Sequence, residues 1–315
     1  MLSGVAGRTM KHWLRLAVLT WLAQSSVNGA VPADATSSNQ PAKNAVTLPF
    51  EFVSGRILVS ARVNDAQPAV LMLDTGYSIN MLSSELAGLL ELKRTGHITI
   101  VGVAGEERAD QFEGVTFDLS GATYRPRRVA ALPASYQRHW RKRDGVLGAG
   151  FFKRFVVEID PRERKISLRE PDTFHYSGNG DVIPFKIRQS TPIVDAAILL
   201  PDQAPVAGRF EIDTGCDGGL CIGSDFVNAH HLVESSGRTE ESGRSGLGGD
   251  AKTRIGRVPK FRLGDQVVEK PLANFFLEGS PVDAGLAGHI GMQVLRRFKV
   301  IFDYSRERMI LEPLE

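Results

Sequence analysis

The chain has 315 residues, enough for one large domain or two ordinary lobes, and its 42% hydrophobic and 23% charged content suits a buried core. A formal net charge of +2 excludes a nucleic-acid partner recruited by bulk charge. With 32 glycines and 16 prolines, a turn-rich β chain is expected rather than a helix bundle.

The first 30 residues read as a secretory signal. Arg8, Lys11, His12 and Arg15 make a basic start, Leu16 to Ala23 is a short apolar run, and small residues from Gly29 to Ala35 offer cleavage positions. A secreted or periplasmic location is expected, with an uncleaved membrane anchor as the competing reading. Residues 31–45 follow as an Ala/Ser/Pro/Asn-rich leader.

Lobe one is expected over residues 46–171, a linker over 172–180 and lobe two over 181–315. The lobes open alike, Leu48-Pro49-Phe50-Glu51-Phe52 against Ile183-Pro184-Phe185-Lys186-Ile187. A hairpin follows in each, Ile57 to Leu73 and Ile193 to Ile212. Short helices are predicted at Ser83 to Leu92 and Ser224 to Leu232, each opened by a serine able to cap it. Mid-lobe hairpins tipped by glycine come next. Lobe one has Ile98 to Gly105, with Gly102 and Gly105 at the tip, returning through Val115 to Asp118. Lobe two has Ser245 to Gly249, with Gly248 and Gly249 at the tip, returning through Arg254 to Leu263. Such tips could form mobile flaps over a cleft, or be ordinary surface hairpins.

Asp-Thr-Gly occurs twice, as Asp74-Thr75-Gly76 and Asp213-Thr214-Gly215, each after a strand-like run. Each is followed by a Gly-hydrophobic-Gly turn, Gly145-Val146-Leu147-Gly148 and Gly288-His289-Ile290-Gly291, and by a closing strand ending in Asp160 or Asp303. One copy alone would read as a turn, because Asp and Gly are standard turn formers. Two copies in matching frames mark a tandem duplication with one carboxylate per half. Like halves pack about a pseudo-twofold axis, where equivalent loops meet. If Asp74 and Asp213 meet there, they share one proton, and the pair can act as base toward a water and acid toward a carbonyl.

On these residues the chain resembles the aspartic peptidases of the pepsin and retropepsin type, across nearly all of residues 46–315. The short lobes are similar to the bacterial retropepsin-like form. The resemblance implies an all-β, bilobal acid-protease fold and an aspartic endopeptidase acting on a polypeptide, with no cofactor and as a monomer. It implies Asp74 and Asp213 as the catalytic pair, supported by Thr75, Gly76, Thr214 and Gly215. Tyr77, Gly102, Gly105, Asp217, Gly248 and Gly249 are the implied substrate contacts.

Two positions depart from the family pattern. Tyr77 and Cys216 stand where the family has Ala or Ser, which favours the rival reading of a non-catalytic peptide-binding protein with this fold. His289 replaces an apolar residue, either as a satisfied buried histidine or as a group that tunes the site. Cys216 and Cys221 admit a disulfide in an oxidising compartment, but their spacing does not ensure bonding reach. No His-Glu-x-x-His stretch or other ligand spacing predicts a metal. The segment Gly246 to Thr253 only approximates a phosphate-binding loop, lacking the glycine before Lys252 and a flanking strand and helix. The basic stretch Arg125 to Arg143 reads as a solvated face or as a dock for an anionic surface.

Overall fold

The computed structural model describes residues 45–66, 68–102, 105–132, 143–246, 249–280, 282 and 284–314. The expected signal and nearly all of the leader lie outside these residues, as do Gly248 and most of the basic stretch. Among the described residues no helix is long and apolar enough to cross a membrane.

Period-two burial marks strands such as Arg56–Val63 and Lys260–Leu263, while the central strands Asn80–Ser83, Gly145–Leu147 and Leu220–Ile222 are buried on both faces. Lobe one begins with β1 (Val46–Pro49), β2 (Glu51–Val53), β3 (Arg56–Val63), β4 (Pro68–Leu73) and β5 (Asn80–Ser83). After a helix at Ser84–Leu89 come β6 (Arg94–Gly102), β7 (Gly105–Phe112), β8 (Phe117–Leu119), β9 (Ala122–Tyr124) and β10 (Val129–Leu132). The lobe closes with β11 (Gly145–Leu147), a helix at Ala149–Arg154, β12 (Val156–Asp160) and β13 (Lys165–Arg169).

Lobe two begins with β14 (Asp181–Pro184), β15 (Lys186–Arg188), β16 (Thr191–Leu199), β17 (Val206–Ile212) and β18 (Leu220–Ile222). Helices at Ser224–Ala229 and Leu232–Ser235 precede β19 (Glu240–Gly246), β20 (Gly249–Arg257), β21 (Lys260–Leu263), β22 (Gln266–Glu269) and β23 (Leu272–Phe276). It closes with β24 (Gly288–Ile290), a helix at Met292–Leu295, β25 (Phe298–Asp303) and β26 (Arg308–Pro313).

The duplication is explicit in the strand order. Lobe one forms a sheet β6-β7-β10-β5-β11-β4-β3-β8-β9, and lobe two forms β19-β20-β23-β18-β24-β17-β16-β21-β22, position for position the same. In each, the strand after the mid-lobe loops (β11 or β24) inserts between two earlier ones. It runs parallel to β4 or β17 and antiparallel to β5 or β18.

A third sheet, β1-β13-β12-β25-β26-β14, takes strands from both lobes and ties them together. The seam is β12 against β25, pairing Val157 with Phe302 and Ile159 with Val300. Beneath it Phe152 meets Phe302 edge-on at 5.4 Å and stacks on Tyr304 at 5.7 Å, and Phe185 abuts Tyr304 at 5.2 Å. Burying each such ring contributes about 1.5–3 kcal/mol, so the seam resists sliding of one lobe against the other.

Three local expectations change. The flap hairpins return through β7 and β20, not through Val115–Asp118 or as far as Leu263. Their return strands are too charged to read as strands in sequence, because a hairpin at a sheet edge needs no apolar alternation. The serine cap holds at Ser83, whose side chain accepts from Leu86 N at 3.0 Å. It fails at Ser224, where Gly223 is the N-cap and no side chain caps the helix. The helix expected from Ser224 to Leu232 is broken in two, ending at Ala229 and resuming at Leu232, because His231 takes a left-handed conformation (φ 49°) between them. The segment joining the lobes is anchored: Phe174 packs with Val156, Ile301 and Ile310, and Tyr176 Oη donates to Glu312 at 2.8 Å.

Candidate active site

Each Asp-Thr-Gly begins where an inner strand stops. Asp74 N donates to Leu147 O and Asp213 N to Ile290 O, both at 3.0 Å, so each loop is pinned to the strand inserted beside it. The hydrophobic-Gly turn then crosses beneath the loop. A Cβ at Gly148 would come within 2.6 Å of the carbonyls of Tyr77 and Ile79, and one at Gly291 within 2.8 Å of the Cys216 carbonyl. Only glycine permits that crossing.

The loops meet across the lobes. Thr75 N donates to Thr214 Oγ1 and Thr214 N to Thr75 Oγ1, both at 3.0 Å. In turn Thr75 Oγ1 donates to Ile212 O at 2.6 Å, and Thr214 Oγ1 to Leu73 O at 3.1 Å. Four reciprocal bonds between fully buried groups fix both loops in one relative position.

This brings the two aspartates into contact. The two carboxyls converge beside Gly76, where a Cβ would lie within 3.2 Å of an oxygen of each. Asp74 Oδ1 accepts from Gly76 N at 2.9 Å, while Asp213 Oδ1 accepts from Gly215 N at 2.9 Å and Cys216 N at 3.1 Å. Burial pushes the Asp74 carboxyl well above the usual carboxylate range, and the neighbouring Asp213 charge adds to it. Gly76 and Gly215 press on the pair: a Cβ on Gly76 would lie 2.8 Å from Asp213 Oδ1, and one on Gly215 would overlap the Asp74 carboxyl.

The other expected residues divide. Tyr77 packs into the apolar cluster of Met72, Met81 and Val146 rather than standing free. Gly102 pairs with Gly105, and Gly246 with Gly249, across the two flap hairpins. Gly248 lies outside the described residues. Asp217 is engaged within the protein, its Oδ2 lying 3.2 Å from Arg56 Nη1. Arg56 was not foreseen. It extends from lobe one into the second loop, where its Nε also donates to Gly215 O at 2.9 Å.

Cys216 and Cys221 are buried thiols not joined by a disulfide, their Sγ atoms 3.5 Å apart. The hydrogen bond with Cys221, followed by burial, pushes the Cys216 thiol well up, so it stays protonated. His289 lies beside Asp213. Its Nδ1 is 3.2 Å from Asp213 Oδ2, and its Nε2 is 3.3 Å from Oε2 of Glu211, a carboxylate that the sequence did not single out. Donor atoms of Asp213, Cys216 and His289 lie within 4.8 Å of one another, a grouping invisible to motif spacing. Since both imidazole nitrogens face carboxylates, the group reads as an ion-pair cluster.

Comparison with known proteins bears on the fold. Residues 59–151, which include the first Asp-Thr-Gly, match the aspartyl protease family. Among solved structures, the aspartic proteinase from Irpex lacteus superposes with a TM-score of 0.58 over 86% of this chain and 98% of its own, at 16% identity. No curated protein matches the chain. The chain therefore has the bilobal aspartic protease fold, nearly all β, and the family match and fold together support a protease.

Proposed function

We propose that the protein is an aspartic endopeptidase in which Asp74 and Asp213 activate a water between them. The contact between these two carboxyls, held by the threonine interlock, carries the reading. The ionised carboxylate takes a proton from the water as its oxygen attacks the peptide carbonyl carbon. The protonated carboxyl donates to the carbonyl oxygen, giving a neutral tetrahedral diol. Collapse of that diol passes a proton to the amide nitrogen, breaks the C–N bond and restores one shared proton. No step calls for a covalent enzyme intermediate.

A substrate would lie extended between the lobes, pairing its main chain with the hairpins β6–β7 and β19–β20. Gly102, Gly105 and Gly249 would allow close approach at those tips, and Tyr77 would narrow the cleft. Asp217, held by Arg56, would stand beside the substrate backbone. The retropepsin-like character, the monomeric state and a secreted or periplasmic location belong to the same proposal, the last supported by the basic and apolar N-terminal pattern. Incubating the mature protein with an unstructured polypeptide tests the reading. Cleavage blocked by a statine-type transition-state mimic is the expected result; tight peptide binding with no cleavage would favour the non-catalytic reading instead.

A further inference from the structure

The two halves of the dyad have unlike surroundings, and the sheet register shows where they diverge. In lobe one, Val146 of the inserted strand faces Met72 and Met81. In lobe two, the register places His289 between Glu211 and Cys221. Met72, Met81 and Val146 are buried together in an apolar cluster. Their counterparts are an acid, a thiol and an imidazole. An apolar trio beside Asp74 thus faces a polar trio beside Asp213.

The imidazole geometry identifies its charge. Nδ1 faces Asp213 at 3.2 Å and Nε2 faces Glu211 at 3.3 Å, with all three side chains only 12–13% exposed. A neutral ring donates from one nitrogen only, so two carboxylate partners on opposite nitrogens call for the doubly protonated form. The titratable and charged groups around it are Glu211 on β17, Asp213 and Cys216 in the following loop, and Cys221 on β18. Tyr304 lies near enough to feel Glu211 and Asp74, and Arg56 near enough to act on Asp74. Burial alone would lower His289, but the bonds to Cys216 and Glu211 and the charges of Glu211 and Asp213 outweigh it and hold the imidazole well up.

Resting on the peptidase reading, we propose that His289 is a positioning residue that fixes the asymmetry of the dyad. It holds the negative charge on Asp213 and leaves the shared proton on Asp74. Asp213 is then the group that takes the proton from water, and Asp74 the group that protonates the carbonyl oxygen. Glu211 serves as counter-charge and orients the ring, so that the imidazolium does not withdraw Asp213 from the water. The arrangement persists to the pH at which His289 deprotonates, which extends activity toward neutrality.

Two measurements test this. The first is NMR of the imidazole nitrogens in the wild type, with His289 assigned through His289→Gln. A doubly protonated ring at pH 7 is expected, and a single tautomer there would overturn the proposal. The second is the pH profile of kcat/KM for Glu211→Met/His289→Val, which gives lobe two the side chains that lobe one already packs and so avoids stranding a buried carboxylate. Its acid limb should move to higher pH by roughly one pH unit or more, because an opposite charge in near contact has been removed, with KM little changed. A profile that coincides with the wild type overturns the proposal even if the ring is charged. A wild type that cleaves nothing ends the peptidase reading and the acid and base assignment with it. A wild type that cleaves with a neutral His289 overturns the assignment alone.

Discussion

Replacing the two loop glycines with alanine separates the members of the dyad by geometry alone. A Cβ at Gly215 would stand 2.6 Å from Asp74 Oδ1 and closer still to the rest of that carboxyl, below any ordinary carbon–oxygen contact. Asp74 is held by Gly76 N and by burial, so it must be driven out of place by about 1 Å, and a misplacement of that size costs roughly 10²-fold in turnover. A Cβ at Gly76 meets Asp213 Oδ1 at 2.8 Å and Asp213 Cγ at 2.9 Å. There a shift of about 0.5 Å restores ordinary contact, and the loss should be about tenfold or less. Both variants should fold, with overpacking costing about 1–3 kcal/mol. Steady-state cleavage beside thermal melts provides the assay. Near-wild-type turnover in Gly215→Ala, or a larger loss in Gly76→Ala than in Gly215→Ala, would refute the reasoning.

Other consequences concern stability. Asp74, raised by burial, keeps its proton in the folded state over a pH range where the unfolded chain has already ionised, so stability falls as pH rises out of the ordinary carboxylate range. Asp74→Asn removes that penalty: its melting temperature should exceed the wild type at neutral pH, with the gain vanishing in acid, and a pH-independent difference would contradict this. Thr75→Val strands Ile212 O and Thr214 N, two buried groups whose desolvation costs about 1–3 kcal/mol each. Thr75→Ser keeps both bonds, so denaturant unfolding should separate the two variants by about 2–6 kcal/mol; equal midpoints would argue against the interlock.

What could be read from the sequence was what repeats at short range. Asp74-Thr75-Gly76 and Asp213-Thr214-Gly215, with Gly148 and Gly291, recur in matching frames because the same crossing of loop and turn is built twice. The all-β lobes and closing hairpins followed from apolar runs around those landmarks. Contacts made by topology were not legible. Arg56 and Asp217 are far apart in sequence and meet only because the loops of the two lobes touch. Glu211 alternates with Phe210 and Ile212 as a solvent-facing strand residue would, yet its neighbour His289 makes it interior. Laying the second half on the first could have exposed it, since Glu211 falls on Met72 and His289 on Val146. The flap return strands were missed because Glu106 to Asp110 and Asp250 to Arg254 lack the apolar alternation that marks a core strand.

The central claim is that the two aspartates act as one machine. Cleavage of an unstructured polypeptide by Asp74→Asn and by Asp213→Asn, each verified as folded by its melt, tests it most directly. Asparagine keeps the shape and removes the titratable group, so each variant should lose at least about 10³-fold in kcat. Near-wild-type turnover in either folded variant would contradict the shared-proton mechanism.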